Sequence, residues 1–468
     1  MTASALPQVL QRCAAGVGVG LEGLEVIGEP SLESFYPVSA LATASVGVAG
    51  LAAADVLNAL GMPARTVAVD RGLADAWFGL ALRPVGWQLP SPWDPIAGDY
   101  RTRDAPGSLG WIRLHTNAPH HRAAALRVLG VAADRAAVAD AVASWTAGEL
   151  EDAVVAAGGG AAELRTPSDW AAHPQGAAVA SEPLVATART DRDSSRSTWR
   201  PTADRPLAGL RVLDLTRVLA GPAATRFLAG LGAEVLRIDP PDWDEPGVVP
   251  EMTLGKRAAR LDAREPAGRD RVLQLLAAAD VLVSGYRADA LERLGLGEEV
   301  RRGIRPGLVD ISLDAYGHTG PWATRRGFDS LVQMSGGIAA AGLEAGTADR
   351  PTPLPVQALD QATGYLTAAA ALAGLAARVR DGVGSRSRLS LARTAVELEA
   401  ARGLKVDAAP SPGDAGAPDP PRPALATPWG AAELLPAPLS IGGVPLSWSL
   451  PPRPLGSDEP RWSAQRRR

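Results

Sequence analysis

The chain has 468 residues, of which 46% are hydrophobic and only 4% aromatic, and its net charge is −4. Such a length suits about two to four units of ordinary domain size, with a core built mainly of Ala, Leu and Val. The charge balance lacks the clustered positive footprint of a nucleic-acid binder. The single cysteine, Cys13, excludes an internal disulfide framework and a thiolate metal cluster.

Met1–Leu10 has no positive stretch followed by a long apolar run, so no secretory leader is expected, and a reducing, cytoplasmic setting is the plain expectation. Gly18–Gly23 fits GxGxxG by letter, but no strand precedes it and no helix follows. No GxxxxGK[ST] or GxSxG occurs either, so neither a nicotinamide cofactor, a P-loop nucleotide nor a serine nucleophile is indicated. Val38–Asn58 reads as helix. Its apolar part, Thr43–Leu60, is Ala/Gly-rich and carries Asp55, which suits a buried helix and not a membrane span. Arg65–Asp70 and Trp111–His115 are strand-like. Short helices are predicted over Ala123–Leu129, Arg135–Trp145 and Glu149–Ala157. Thr190–Arg205 is rich in Ser, Asp and Arg, has little to bury, and reads as a linker.

Beyond it, strands over Arg211–Leu215, Glu234–Asp239, Val281–Val283 and Leu308–Leu313 alternate with helices over Ala220–Leu231, stopped by Gly232, and Glu265–Ala279. That alternation predicts an α/β domain with a Rossmann-like, doubly wound parallel sheet that binds its ligand at the carboxyl ends of the strands. Ala408–Pro423 is a loose Pro/Gly-rich stretch, and Gln465–Arg468 is a basic end expected to fray.

An internal echo joins the two parts. Val38–Ala42 (VSALA) lines up with Val356–Asp360 (VQALD). Each leads into a long Ala-rich helix, then a Gly-containing turn and a strand-like segment, Arg65–Asp70 in one and Arg386–Leu391 in the other. Chance between two Ala-rich helices accounts for this equally well. On that alignment Ala42 stands where the second segment has Asp360.

Asp360 opens the second long helix, where exposed backbone N–H groups favour a negative charge and would keep a carboxylate ionised as a nucleophile. By itself the residue reads first as a helix cap, for which Asp is among the best residues. Asp329, in the run GFD, is a second candidate, and a loop-holding role suits it as well. His318 is a polar loop residue and a weaker candidate base. The spacing of His115, His120 and His121 gathers no ligands on one helix face, so no metal site is expected.

The run PLAGLRVLDLTRVLAGPAATRFLAGLGAEVLRIDPP from Pro206 resembles the family III CoA-transferases, the group of formyl-CoA transferase, carnitine CoA-transferase and α-methylacyl-CoA racemase. So do GKRAARLD (Gly255–Asp262), ADVLVSGYRADALERLGLG (Ala279–Gly297), GHTGP (Gly317–Pro321), GFDSLVQMSGG (Gly327–Gly337), LDQATGYLTAAAALAGLAAR (Leu359–Arg378) and GVGSRSRLSLARTAVEL (Gly382–Leu398), in the family's order and spacing. Tyr100–Asp104, Gly110–Gly130 and Asp169–Gly176 resemble the family's small domain, but here they precede the large-domain start. The chain therefore resembles a permuted or duplicated member. Its units are a partial, degenerate large-domain-like segment (1–99), a small α/β domain (100–189), the linker (190–205), a Rossmann-like CoA-transferase domain (206–405) and a Pro-rich tail (406–468).

The resemblance implies CoA transfer from an acyl-CoA donor to a small carboxylic acid. Asp360 would be the nucleophile, passing through a mixed anhydride and an aspartyl-CoA thioester. Coenzyme A would be a substrate carrier and no cofactor would be bound permanently. The resemblance places CoA contacts at Val218, Leu219, Ala220, Arg237, Lys256, Arg257, Arg287 and Arg293, since Arg grips phosphate in two parallel hydrogen bonds. It implies an interlaced homodimer, or a related partner subunit supplying a glycine-rich loop that this tail lacks, and neither nucleic acid nor membrane as partner. The family's racemases carry His before the Asp of GFD. Here Phe328 stands there and cannot carry a proton, which argues against a racemase-like isomerase. A non-catalytic acyl-CoA-binding subunit is the remaining alternative.

Overall fold

The computed structural model describes residues 4–63, 65–103, 105–192, 199–404 and 422–463. Its centre is a seven-stranded sheet in the order Lys256–Arg260, Glu234–Asp239, Arg211–Leu215, Val281–Ser284, Val309–Asp314, Val383–Ser390, Ala186–Arg192. The first six strands run parallel and the last is antiparallel. The inner strands are buried on both faces, as a sheet covered by helices requires. Chain order reverses between Arg211–Leu215 and Val281–Ser284, which creates the crevice where doubly wound sheets take ligands.

The antiparallel edge corrects the expected linker. Thr190–Arg192 belongs to the strand Ala186–Arg192, which registers on Val383–Ser390. After residues 193–198, which are outside the described set, Trp199 is buried and its indole N–H donates to the Pro206 carbonyl at 2.7 Å. Most of Ala408–Pro423, and all of Gln465–Arg468, lie outside the described residues.

The small domain is a three-stranded antiparallel sheet, Gly98–Arg101, Trp111–Leu114 and Ala161–Glu163, under the helices Pro119–Leu129, Arg135–Val142 and Ala147–Ala156. Its core is Ile112, Leu114, Val138, Val142 and Leu150.

The two long helices, Val38–Ala59 and Ala358–Asp381, pack along each other in one continuous core that includes Val46, Leu57, Leu366 and Leu372. Both are long and apolar enough to cross a membrane, and both are buried inside the protein. Each starts on the same backbone bend, φ −76°, ψ 63° at Pro37 and φ −76°, ψ 66° at Gln357. Val38 is thus the counterpart of Ala358, and Ala40, not Ala42, stands in the place of Asp360. The shared VxAL letters are misleading by two positions because the bend, and not the side-chain pattern, fixes where each helix begins.

The expected Pro-rich tail is structural. Ala424–Thr427 and Gly430–Leu434 form a small sheet with Leu82–Pro84, and Leu439–Ile441 pairs with Val67–Asp70. Trp448 then stacks on Trp77 at 5.3 Å and donates its indole N–H to the Arg226 carbonyl. Asp458 accepts the Ala258 N–H at 2.9 Å, covering the outer edge of the large sheet. The tail so straps the first segment to the Rossmann-like domain.

Candidate active site

A cavity of about 440 Å³ opens at the carboxyl ends of Arg211–Leu215, Glu234–Asp239 and Val281–Ser284. One wall is Asp360, the third residue of its helix and only 7% exposed. Gly364, one turn on, lets this helix approach the helix Ala220–Gly230: a Cβ there would sit 2.5 Å from the Ala220 carbonyl oxygen.

Asp329, the first residue of the helix Asp329–Ser335, lies beneath Asp360. One of its oxygens accepts the Asp360 backbone N–H at 2.9 Å and the other accepts the Gln333 amide at 2.5 Å. Gln333 is fixed in turn by the Leu354 N–H at 2.8 Å. Burial pushes Asp329 up to about 6. Burial, and then the neighbouring Asp329, push Asp360 well above the usual carboxylate range. This corrects the expectation of an Asp360 held ionised by the helix start: desolvation and a like charge outweigh the helix dipole. Both carboxyls are thus harder to ionise than exposed ones, Asp360 the more so.

Phe328 stands at the cavity wall beside Asp329. His115 lies flat on its ring, with centroids 3.7 Å apart, and His121 meets it edge-on at 5.6 Å. Both imidazoles come from the small domain, and His120 and His121 also line the cavity. Burial, then His120, Arg326 and Arg287, push His121 down to about 3, so it is neutral. The spacing of these histidines argues against a metal site but gives no sign of their place at this wall.

Val218 lines the cavity at φ +65°, the one positive φ outside glycine among the described residues. For a β-branched residue that conformation is strained, and such strain concentrates at functional sites. The Val218 N–H donates to Glu245 at 2.9 Å. Ala220 and Arg287 line the cavity too. Leu219 lies between the two lining residues and starts the helix Ala220–Gly230.

The structure places the other expected CoA contacts elsewhere. Arg237 is fully buried and commits its guanidinium to Asp239 at 2.9 Å and to Glu245. Lys256, also fully buried, donates to Asp214 at 3.0 Å, to Thr225 and to the Pro222 carbonyl, and burial lowers it to about 8. Arg257 holds the tail through the Arg461 carbonyl at 2.6 Å, and Arg293 pairs with Asp289 on the surface. The arginines that do line the cavity, beside Arg287, are Arg217, Arg264, Arg325 and Arg326. Arg217 is sandwiched between Trp243 and Tyr286, 4.5 and 4.9 Å from the ring centroids. Arg287 and Arg326 have no ion pair among the described residues. Burial and then Arg287 lower Arg326, the mark of cations gathered without an anion. His318 donates from Nε2 to the Leu389 carbonyl at 3.1 Å, and its Nδ1 lies 3.4 Å from the buried Asp314.

Residues 207–423 match the family described as CoA-transferase family III. The chain is 38% identical over 205 residues to succinyl-CoA:glutarate CoA-transferase of Mus musculus, covering 40% of this chain and 46% of that protein. It is 34% identical over 222 residues to a probable fatty acyl-CoA transferase of Mycobacterium tuberculosis, covering 43% and 54%. An acyl-CoA transferase of Gibberella moniliformis is 30% identical over 309 residues, covering 60% and 53%. The chain thus spans about half the length of these curated relatives.

Proposed function

Taking residues 207–423 as a domain of CoA-transferase family III, we propose that the protein moves coenzyme A from an acyl-CoA to a free carboxylic acid with Asp360 as nucleophile. The observation that carries this reading is the buried Asp360–Asp329 pair at the wall of a cavity where Arg287 and Arg326 have no ion pair among the described residues.

The reaction needs Asp360 ionised, and Asp329 is the nearest base for its proton. An Asp360 carboxylate oxygen attacks the thioester carbonyl carbon, the C–S bond breaks, and CoA leaves as thiolate with a mixed anhydride left behind. The thiolate attacks the Asp360 side-chain carbonyl of that anhydride, forming aspartyl-CoA and releasing the donor acid as a carboxylate. The acceptor carboxylate attacks aspartyl-CoA in turn. The thiolate freed then attacks the acceptor acyl carbon of the new anhydride, giving the new thioester and restoring Asp360. Burial keeps water from both acyl intermediates, and Arg287, Arg326 and Arg217 supply positive charge for phosphate and carboxylate. The reading has CoA thioesters and small carboxylic acids as its small-molecule partners and no permanent cofactor. A cytoplasmic setting accords with the one cysteine, Cys13, buried and unpaired.

Intact-mass spectrometry after incubation with a panel of acyl-CoAs tests this. The expected result is an adduct of CoA mass on Asp360, absent in Asp360→Ala. CoA binding with no adduct from any donor would overturn it.

One observation favours a second reading. His121 brings an imidazole to the cavity beside Phe328, a proton carrier that α-proton exchange needs. Uptake of deuterium at the acyl α-carbon from heavy water, lost in His121→Ala, would decide for it.

A further inference from the structure

The two long helices are the centre of a larger internal repeat. The bend precedes Val38 in one copy and Ala358 in the other, and in both the first helical N–H donates to a carbonyl two residues back, Tyr36 and Val356, at 2.8 Å. After each helix a strand leads into a second helix capped in the same way. The Asp70 side chain accepts the Leu73 N–H, and the Ser390 side chain accepts the Arg393 N–H. The spacing is 320 residues at every point (358 − 38, 390 − 70, 393 − 73).

The first copy keeps this frame without the chemistry. Ala40 stands where Asp360 is, and among the described residues the elements before it are the helix Ala5–Val17 and the strand Leu24–Ile27, not a crevice-forming set like Arg211–Leu215 to Val309–Asp314. Its parallel pair, Leu24–Ile27 and Val67–Asp70, is instead finished by the tail strand Leu439–Ile441. Its buried carboxylate, Asp75, is a brace that accepts from the Ser31 N–H and the Ser39 hydroxyl. It does not line the cavity.

The chain leaving the first copy nevertheless completes the second copy's site. It runs into the small domain, sets His120 and His121 in the cavity and His115 on Phe328, and returns as the edge strand on Val383–Ser390. One face of Ala358–Asp381 is covered by Val38–Ala59, and 83% of its most apolar stretch is buried in one chain.

We propose that residues 24–78 occupy, within the chain, the place of a second subunit, so that one chain is one complete catalytic unit with one site and no interlaced copy is needed. The frame alone predicts the assembly, and the site count rests on the CoA-transfer reading above. Sedimentation of the full chain over a hundredfold range of concentration should give a single species of 48.3 kDa with unchanged specific activity on dilution. The adduct experiment should saturate at one CoA per chain. A stable dimer at all concentrations or two adducts per chain would overturn the proposal. If no donor forms an adduct, the transfer reading fails while the mass of the free chain still decides this one.

Discussion

Residues 38–78 and 358–398 make one backbone twice, and only the second carries an acid at the third helical position. Ala40 and Asp360 are both buried, at 5% and 7% exposure, so depth does not separate them. What separates them is the surroundings. Asp360 has a cavity, a second carboxylate that accepts its N–H, and arginines along the same wall. Ala40 has only the apolar packing of the core. A buried carboxyl is costly wherever it is placed. It persists where neighbouring groups give its proton and charge something to do, and the copy without those groups holds alanine.

The largest expected effect is on turnover at the second copy. Asp360→Asn keeps the shape and removes the nucleophile, and a loss of about 10³-fold or more is expected in kcat by steady-state assay. Stability should move the other way. The folded Asp360 titrates well above its unfolded value, so its contribution is fully present below the usual carboxylate range and is lost as pH rises through the folded value. The Asn variant should therefore melt higher than wild type at pH 8, with the gap closing near pH 4. A wild-type advantage at pH 8 would mean that the site does not strain the fold.

The converse graft comes next. Ala40→Asp places an acid on the matching backbone with no partner, and a loss of about 2–4 kcal/mol is expected in denaturant unfolding. No second CoA adduct should form. If Ala40→Asp gains an adduct, the frame alone is enough to make a site.

How far the sequence shows this difference depends on what each residue must satisfy. The apolar runs RVLDL and EVLRID betray buried strands, and both are found where expected. KRAAR (Lys256–Arg260) and ATARTDR (Ala186–Arg192) are also strands of the large sheet, but their charges hide them. The buried charge of Lys256 is matched by Asp214, a partner 42 positions away. That distant pairing lets Lys256 pass, in the sequence, for a phosphate ligand, whereas Arg237 is spent on the nearby Asp239 and Glu245. The cavity's own Arg217 was within reach of a positional rule, since it lies two residues past the carboxyl end of Arg211–Leu215. His120 and His121 were not, because the return of the small domain to the site is a tertiary fact. The tail strands Ala424–Thr427 and Leu439–Ile441 are too short, and too close to proline, to stand out.

A smaller effect isolates the second carboxylate. Asp329→Asn keeps an acceptor for the Asp360 N–H and removes the like charge, so Asp360 should ionise at lower pH. The low-pH limb of kcat/KM should move toward acid. At the same time the rate at the plateau falls by about 10²-fold, through loss of the nearest base. A limb that stays in place would show that Asp329 only holds the helix start.

The smallest effects test whether the two copies are equivalent in energy as well as in shape. Asp70 and Ser390 cap matched helices, accepting from Leu73 at 2.9 Å and from Arg393 at 3.1 Å. Removing either cap leaves one helix-start N–H without its acceptor, and about 1 kcal/mol should be lost in each of Asp70→Ala and Ser390→Ala. Because both helices belong to one continuous core, each variant should lower the same single unfolding transition. A first copy that melts separately, with Asp70→Ala shifting an early transition that Ser390→Ala leaves untouched, would show two loosely joined units. A single shared transition means that the segment without the acid bears as much of the fold as the segment that holds it.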